Sequence, residues 1–266
     1  MNSRPWSFIT ERVPLRYKIH YRGLYNWFRG ERELRLMKHV CQKDRIALDI
    51  GANLGIFSYF LRRHSRRCMA FEPNPDMVSV LRTTYGNTID IFPFALSDVA
   101  KEITLSIPII NGVEDNGRAT IEAENDLDGH NLVTREISCK RLDDLNLDPV
   151  GFIKIDVEGH EEAVLLGGAA LLERDRPTAL IEIEERHKAV AIDTITERMN
   201  GLGYRGFFLL NGRLHSIDQF EVAVHQRPTA VGDFGIVPGA TYINNFLFVH
   251  DRATEASLAT RIGIER

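Results

Sequence analysis

A short loop between two apolar stretches carries the residue types with the clearest chemical use. Residues 47–57 read ALDIGANLGIF, in which Asp49 ends an apolar run and Gly51 and Gly55 flank Asn53. Glycines here permit a tight turn and close approach of a ligand, and a helix that follows offers free N–H groups. The middle glycine of the dinucleotide fingerprint Gly-x-Gly-x-x-Gly, which lets backbone approach a pyrophosphate, is absent. Two glycines that only make a turn are the alternative.

A carboxylate stands at the spacing expected for ribose recognition. Glu72 follows Gly51 by 21 residues and ends the apolar run RCMAFEP, where an acid can accept hydrogen bonds from ribose hydroxyls. Alternatively, Glu72 and Pro73 only begin a helix, since proline suits a first helical turn. Loop and acid together predict a nucleoside pocket. The missing glycine favours a nucleoside without a pyrophosphate, of which S-adenosylmethionine is the common example.

A second group of charges alternates along two later apolar runs. Lys154, Asp156 and Glu158 lie in GFIKIDVEG, and Glu182 and Glu184 lie in LIEIEE. Central parallel strands are almost continuously apolar, and unpaired buried charges are costly, so these side chains must pair or face a ligand cleft. An ion pair accounts for Lys154, and we expect the acids to face the cleft. A divalent metal, which carboxylate oxygens suit, is an alternative that we do not favour.

A parallel sheet would bring both groups together. From residue 45 onward strands and helices alternate, which predicts an α/β fold with helices on both faces of a mostly parallel sheet. Ligands bind such sheets outside the carboxyl ends of the strands, where the loop of residues 47–57 would lie. The predicted strands are RIALDI, RCMAFEP, IDIFPFALS, EITLSIPI at an edge, VGFIKIDVEG, PTALIEIEE and NNFLFVH, and the Asn-Gly in YRGFFLLNGRLHSI predicts a hairpin.

We divide the chain into a helical N-terminal cap at 1–40, a main domain at 41–250 and a C-terminal tail at 251–266. In the cap, ERELRLMKHV carries apolar residues at helical spacing. Residues 111–131 are polar and hold six acids and one arginine. Connections this long are uncommon inside a domain, so we expect a lid that faces the substrate, with a mobile insertion as the alternative.

The bulk composition excludes several protein classes. Of the 266 residues, 44% are hydrophobic and 26% are charged, as in an ordinary globular protein with a full core. The net charge of -4 provides no global electrostatic attraction for nucleic acid. The first 45 residues carry an excess of Lys and Arg, which we interpret as a solvated face; a patch that binds an anionic substrate or a membrane surface is the alternative. Three scattered cysteines indicate a reducing compartment, and no apolar run approaches the roughly 20 residues of a membrane span. With no signal-peptide pattern at the N-terminus, we expect a cytoplasmic protein.

Five motifs in order resemble those of the FkbM family of S-adenosylmethionine-dependent methyltransferases. They are LDIGANLGIFS, AFEPNP, FALSD, RLDDL and IKIDVEGHEEAVLLGG, and they span residues 45 to about 185. The resemblance implies the class I methyltransferase fold, which is Rossmann-like. Its seven-stranded, mostly parallel sheet has an antiparallel last strand in the hairpin and helices on both faces, here with the N-terminal cap in addition.

The resemblance also implies roles for single residues. The implied cofactor-binding residues are Asp49, Gly51, Asn53 and Gly55 at the methionine portion, Glu72 and Asn74 at the ribose, Ser97 and Asp98 at the adenine, and Asp156. Asp156, Glu158 and Glu161 match the family's acidic motif, and Asp156 is implied to lie beside the transferred methyl group. For Ser97 and Asp98 a cap that ends a strand is the alternative.

The implied reaction is transfer of a methyl group to a hydroxyl of a sugar, a glycan or another secondary metabolite. An alcohol has a pKa of roughly 15, like that of water, so a base or a metal must remove its proton as the bond forms. Asp156, Glu182 and His187 are our catalytic candidates, and His160 and His215 are weaker ones. His187 is alternatively a surface residue.

The expected partner is a small molecule or glycan whose hydroxyl accepts the methyl group. If this acceptor is lipid-linked, the protein would contact the membrane peripherally. We expect no nucleic-acid partner. Two other classes stay open. A cofactor-binding partner or sensor without catalysis would need the loop but not the second group of acids. A nicotinamide oxidoreductase is built on a similar sheet, but the loop opposes it because a glycine of the dinucleotide fingerprint is missing.

Overall fold

A mixed sheet runs through the part of the chain that the computed structural model describes, which is residues 32–122, 127, 130–186, 191–232, 235–237 and 239–265. In chain order the strands are β1 (Ile46–Ile50), β2 (Arg67–Phe71), β3 (Asp90–Phe92), β4 (Ala95–Leu96), β5 (Lys101–Ile110), β6 (Val113–Glu114), β7 (Asn131–Lys140), β8 (Val150–Ile155), β9 (Thr178–Glu182), β10 (Arg205–Leu210), β11 (Arg213–Ser216), β12 (Val231–Gly232), β13 (Gly235–Ile236), β14 (Asn245–Val249) and β15 (Ile264–Glu265). Nine of these strands form the main sheet, in the order β15-β11-β10-β14-β9-β8-β1-β2-β3.

Helices cover both faces of the main sheet. The α-helices are α1 (Met37–Val40), α2 (Ile56–His64), α3 (Pro75–Tyr85), α4 (Glu161–Gly167), α5 (Ala169–Asp175), α6 (Ile192–Gly201), α7 (Val222–His225) and α8 (Arg252–Arg261), and the 3-10 helices are Arg32–Leu36, Asn116–Arg118, Leu142–Asp144, Ile217–Gln219 and Pro228–Ala230. One apolar core packs α4, α5 and α6 on one face of the sheet, and a second packs α1, α2, α3 and α8 on the other. The predicted α/β class is therefore confirmed.

The central strands are buried along their whole length. All residues of β1, β8 and β14 have little or no contact with solvent, as their nearly continuous apolar sequences predict for strands covered on both faces. β1 pairs in parallel with both β2 and β8, and β8 pairs in parallel with β9. The carboxyl ends of these four strands consequently meet along one edge of the sheet.

The strand count and the position of the antiparallel strand differ from the prediction. The described main sheet has nine strands instead of seven, because β11 and β15 extend it beyond β10. The prediction places the antiparallel strand in the hairpin. In the structure, the antiparallel strand inserted between two parallel strands is β14, which lies outside the hairpin and pairs with β9 and β10. The hairpin itself is confirmed as β10 and β11, joined through Asn211 and Gly212 at φ of 51° and 80°. Both angles are those that a tight hairpin turn requires.

A smaller four-stranded sheet, in the order β4-β7-β5-β6, corrects two strand predictions. The third predicted strand divides into β3 of the main sheet and β4 of the smaller sheet, with Pro93 between them. Proline has no N–H to continue a ladder. The fourth, β5, lies between β7 and β6 in this sheet and not at an edge, because the charged sequence of β7 pairs with it over nine residue pairs from Lys101 to Ile109.

Both ends of the described chain pack onto the main sheet. Leu34 and Met37 are buried in the 3-10 helix and α1, and residues 1–31 of the predicted cap lie outside the described residues. Residues 251–265, within the predicted tail, form α8 with a buried Leu258 and β15, which pairs with β11. Among the described residues, the helices are all too short or too polar to cross a membrane.

Candidate functional site

The loop after β1 is folded tightly against the end of β8. Gly51, Asn53 and Gly55 have φ angles of 77°, 47° and 75°. A β-carbon at Gly51 would lie 1.7 Å from the carbonyl oxygen of Asp156, so only glycine fits this contact. Gly55 precedes the first residue of α2, and its carbonyl accepts a hydrogen bond from the Tyr85 hydroxyl at 2.5 Å. The loop therefore presents its backbone to the carboxyl edge of the sheet in one fixed shape.

Glu72, at the end of β2, holds this loop in place. One carboxylate oxygen accepts the Asn53 N–H at 2.7 Å, and the other accepts the Asn74 N–H at 2.8 Å. The side chain is 6% exposed, and burial raises its pKa from 4.5 to about 7, against the lowering effect of the two hydrogen bonds. A carboxylate has about four acceptor sites, so Glu72 keeps acceptor capacity for a ligand.

A cavity of about 260 Å³ opens at the carboxyl ends of β1, β2, β8 and β9. Its lining includes five of the predicted site residues, which are Gly51, Asn53, Glu72, Asp156 and Glu182. The predicted residues that do not line it are Asp49, Gly55, Asn74, Ser97 and Asp98. Apolar side chains of Phe71, Leu96, Leu105 and Ile121 form much of the remaining wall. The cavity thus combines an apolar part with carboxylates at one end.

Asp49 and Asn74 occupy positions just behind the cavity. Asp49 is buried and accepts a hydrogen bond from the Ser58 hydroxyl at 2.5 Å, and burial raises its pKa to about 6. It lines an adjoining cavity of about 230 Å³ together with Lys154 and Asp156. Asn74 caps α3 by accepting the Asp76 N–H at 3.1 Å. Asn74 therefore shapes the loop and the helix start.

Ser97 belongs to a buried chain of polar groups beside the cavity. His160, which lines the cavity, places its Nε2 3.0 Å from the Ser97 hydroxyl, and its Nδ1 contacts the Glu122 carboxylate. Because a carboxylate only accepts, Nδ1 carries the proton. The Ser97 hydroxyl also lies 3.0 Å from the carboxylate of Asp98, which is an exposed residue. Ser97 is thus connected to the cavity through His160.

The second group of predicted acids converges at the carboxylate end of the cavity. Oxygens of Asp156, Glu158 and Glu182 lie within 4.8 Å of one another, so these three side chains could hold a divalent cation. Burial raises the pKa of Glu182, and the neighbouring charge of Asp156 raises it further. Lys154 is 1% exposed, with its Nζ 3.7 Å from Asp156 and 3.7 Å from Glu182. The alternating charges of the sequence thus supply both the carboxylates of this site and the lysine that pairs with them.

Glu184 has a different environment from the other acids. It is buried, and its carboxylate accepts hydrogen bonds from Tyr242 at 2.9 Å and Asn244 at 3.0 Å. The Arg186 guanidinium also contacts it, and this arginine lies 3.7 Å from Glu158. Glu184 does not line the cavity, so its partners account for its charge.

The predicted histidines fall in three different places. His187 lies outside the described residues, so its role as a base stays a prediction. His215 lines neither of the two cavities described above; it sits on β11, 3.2 Å from Gln219, with its ring stacked on Phe208. His160 is the predicted histidine that reaches the main cavity among the described residues, and Glu122 and Ser97 already engage it.

Residues 116–122 form a wall of the cavity that was predicted only as part of a long polar loop. Asn116 accepts hydrogen bonds from the side chains of Asn53 at 3.1 Å and Asn74 at 2.6 Å. The Thr120 hydroxyl donates to the Glu158 carbonyl at 2.8 Å. The Asn116-Gly117 pair is a turn signal, but its partners are distant in sequence. Residues 123–126, 128 and 129 of the predicted lid lie outside the described residues.

Comparison with known proteins bears on this arrangement. A sequence profile described as "Methyltransferase FkbM domain" matches residues 49–205, more than half of the chain. Over 221 residues the chain is 25% identical to the AMB antimetabolite synthetase AmbE of Pseudomonas aeruginosa, an alignment that covers 68% of this chain and 10% of that protein.

Similar solved structures include the methyltransferase FkbM of Methylobacillus flagellatus KT, with a TM-score of 0.48 and 14% identity. That similarity covers 91% of this chain and 60% of the other chain. The O-methyltransferase of Bacillus cereus, solved in complex with SAH, has a TM-score of 0.46 and 12% identity, and the similarity covers 89% of this chain and 90% of that one.

Proposed function

The chain belongs to the methyltransferase FkbM family, and from this membership we propose that it binds S-adenosylmethionine and transfers the methyl group to a hydroxyl. The observation that carries the proposal is the position of Glu72. This buried acid faces the cavity and at the same time holds the backbone of the glycine loop through Asn53. An acid so placed couples the shape of the loop to recognition of ribose hydroxyls.

The residues of the cavity suit this cofactor. Glu72 would accept hydrogen bonds from the ribose, and the apolar wall that includes Leu96 and Leu105 would contact the adenine. Asp49 and Asp156, which meet in the adjoining cavity, would attract the positively charged methionine portion. The predicted adenine role of Ser97 would be exerted from behind the wall, through His160.

When bound, the cofactor supplies a methyl group on a positively charged sulfur, which leaves as a neutral thioether after transfer. Asp156 would accept the proton of the attacking hydroxyl, since its side chain is 33% exposed and lines both cavities. Glu182 would orient the acceptor from the neighbouring strand. Most of the rate increase would come from holding the acceptor oxygen in line with the methyl group. His187 stays a second candidate for the base.

We further propose that the acceptor is a hydroxyl of a sugar, a glycan or another secondary metabolite, free or lipid-linked. Asp156, Glu158 and Glu182 form an acidic wall, and carboxylate oxygens accept hydrogen bonds from several hydroxyls at once. The net charge of -4 does not favour nucleic acid as the acceptor.

Calorimetric titration of the purified protein with S-adenosylmethionine and with NAD tests the cofactor. Binding of S-adenosylmethionine alone is expected, and binding of NAD alone would instead indicate an oxidoreductase. A panel of sugars, glycans and lipid-linked acceptors, incubated with isotopically labelled cofactor, tests the transfer. Products heavier by one CH₂ are expected by mass spectrometry. Tight cofactor binding without any methylated product would favour a sensor or partner subunit.

A further inference from the structure

Lys154 lies on β8, in the middle of the main sheet, where an ionised side chain is costly. It is 1% exposed, and fully buried lysines are rare unless they are paired. Its Nζ donates to the Asn245 side chain at 3.0 Å and to the Ile155 carbonyl at 3.2 Å. It also lies 5.0 Å from the centre of the Phe57 ring, which adds a cation–π contact. The ammonium group is therefore held from several sides.

The same ammonium group faces the carboxylates of the cavity. Asp156 and Glu182 each lie 3.7 Å from Nζ, and they come from neighbouring parallel strands whose carboxyl ends form the cavity. Asp49 is the register partner of Lys154 on β1 and contributes a further negative charge nearby. Without a cation, these like charges would repel one another in a poorly solvated place.

We propose that the Lys154 ammonium is the resident cation of the Asp156 and Glu182 carboxylates, and that it fixes both at the cavity where a metal-dependent enzyme would hold a divalent ion. While the ammonium is present, the three acids Asp156, Glu158 and Glu182 do not form a metal site. A divalent ion binds carboxylate oxygens at about 2.0–2.6 Å and would compete with the ammonium for two of its ligands. Lys154 consequently makes the metal unnecessary and disfavours its binding.

Titration with Mn²⁺ alone, followed by the electron paramagnetic resonance signal of the free ion, tests this inference. The wild type is expected to bind no manganese at this site. The variant Lys154→Met, which keeps an unbranched side chain one atom shorter and removes the charge, is expected to bind about one ion per chain. Lys154→Met combined with Glu182→Gln is expected to lose it. Lys154→Gln is the second neutral variant, and Lys154→Arg is the charge-retaining control.

Two results would overturn the inference. One is manganese binding by the wild type that Glu182→Gln abolishes. The other is a folded Lys154→Met or Lys154→Gln variant, checked by circular dichroism, that binds no manganese. A third measurement needs no variant: methyl transfer by the wild type should be unchanged by EDTA, and activity lost to the chelator and restored by Mn²⁺ would also contradict the assignment.

The role of Lys154 in positioning the carboxylates rests on the proposed function. Lys154→Met should lower kcat by roughly tenfold to a hundredfold, because small misplacements of catalytic groups cost that much, with a smaller change in cofactor Kd. Lys154→Arg should recover most of the loss, which a packing defect alone would not do. Since the manganese titration uses no substrate, its outcome is independent of whether the acceptor class has been identified correctly.

Discussion

Replacing Glu72 by glutamine should remove the pH dependence of stability that this buried carboxyl causes, and it should weaken cofactor binding. The glutamine side chain has the same shape but keeps a single acceptor oxygen, so it can accept the backbone N–H of Asn53 or of Asn74, and its NH2 group faces the other N–H. It removes the cost of ionising a buried carboxyl. It also removes the charge that would accept hydrogen bonds from a ribose.

The size of the effect follows from the pKa of Glu72. Burial raises this pKa from 4.5 to about 7, so the folded protein keeps a proton that the unfolded chain has lost over that interval. A group with a raised folded-state pKa stabilises the fold below pH 4.5, and this stability is lost as the pH rises through 7. The shift corresponds to about 3 kcal/mol. Glu72→Gln should lose this dependence, although Asp49, with a pKa of about 6, will leave a smaller slope at lower pH.

Urea unfolding of both proteins at several values between pH 5 and pH 8 measures the difference in unfolding free energy, and calorimetric titration at pH 8 measures the cofactor Kd. The stability curves of wild type and variant should diverge by roughly 2–3 kcal/mol across this interval. The variant should bind S-adenosylmethionine roughly tenfold to a hundredfold more weakly, as the loss of charged hydrogen bonds worth about 1.5–3 kcal/mol predicts. Parallel stability curves would refute the raised pKa of Glu72, and an unchanged Kd would refute its contact with the ribose.

Other substitutions test separate parts of the site. Gly51→Ala should lower the unfolding free energy by more than about 2 kcal/mol in thermal or urea unfolding, because it combines a positive φ with a clash against Asp156, whereas Gly201→Ala, which meets no atom within 4 Å, should be nearly neutral. Asp156→Asn should lower kcat by roughly 10²–10⁴ and weaken cofactor binding by a much smaller factor, and unchanged turnover would remove it as the base. Asn116→Ala should weaken cofactor binding by about fivefold in calorimetry, since one hydrogen bond that positions the wall is worth about 1 kcal/mol; an unchanged Kd would separate this segment from the cofactor.

Features with local signals could be predicted from the sequence. Spacing along strands and turns predicts the glycine loop, the acid Glu72 and the acids at the ends of β8 and β9. In the structure, Gly51, Glu72 and Asp156 line one cavity. The α/β class and the hairpin also followed from periodicity and from the Asn-Gly turn.

Features that depend on distant partners could not be predicted. The sequence of β7 includes charged residues and does not by itself indicate a strand. It forms a strand because it pairs with β5, from which the polar residues 111–130 separate it in the chain. Asn116 contacts Asn74, 42 positions away, and Glu122 contacts His160, 38 positions away. No local sequence pattern encodes such distant partners. The sheet order at β14 likewise arises from pairing with two strands that precede it in the chain.

The wall of residues 116–122 has a consequence for the rate at which spent cofactor is released. It is held to three separate loops, through Asn53 and Asn74 on one side and through Glu158 and His160 on the other. A nucleoside in the cavity would lie against this segment, so opening of these bonds would widen the path by which spent cofactor leaves. Such release is slower than free diffusion and often limits turnover in enzymes whose chemistry is fast. The hydrogen bonds of Asn116 would then contribute to how long each cofactor molecule stays.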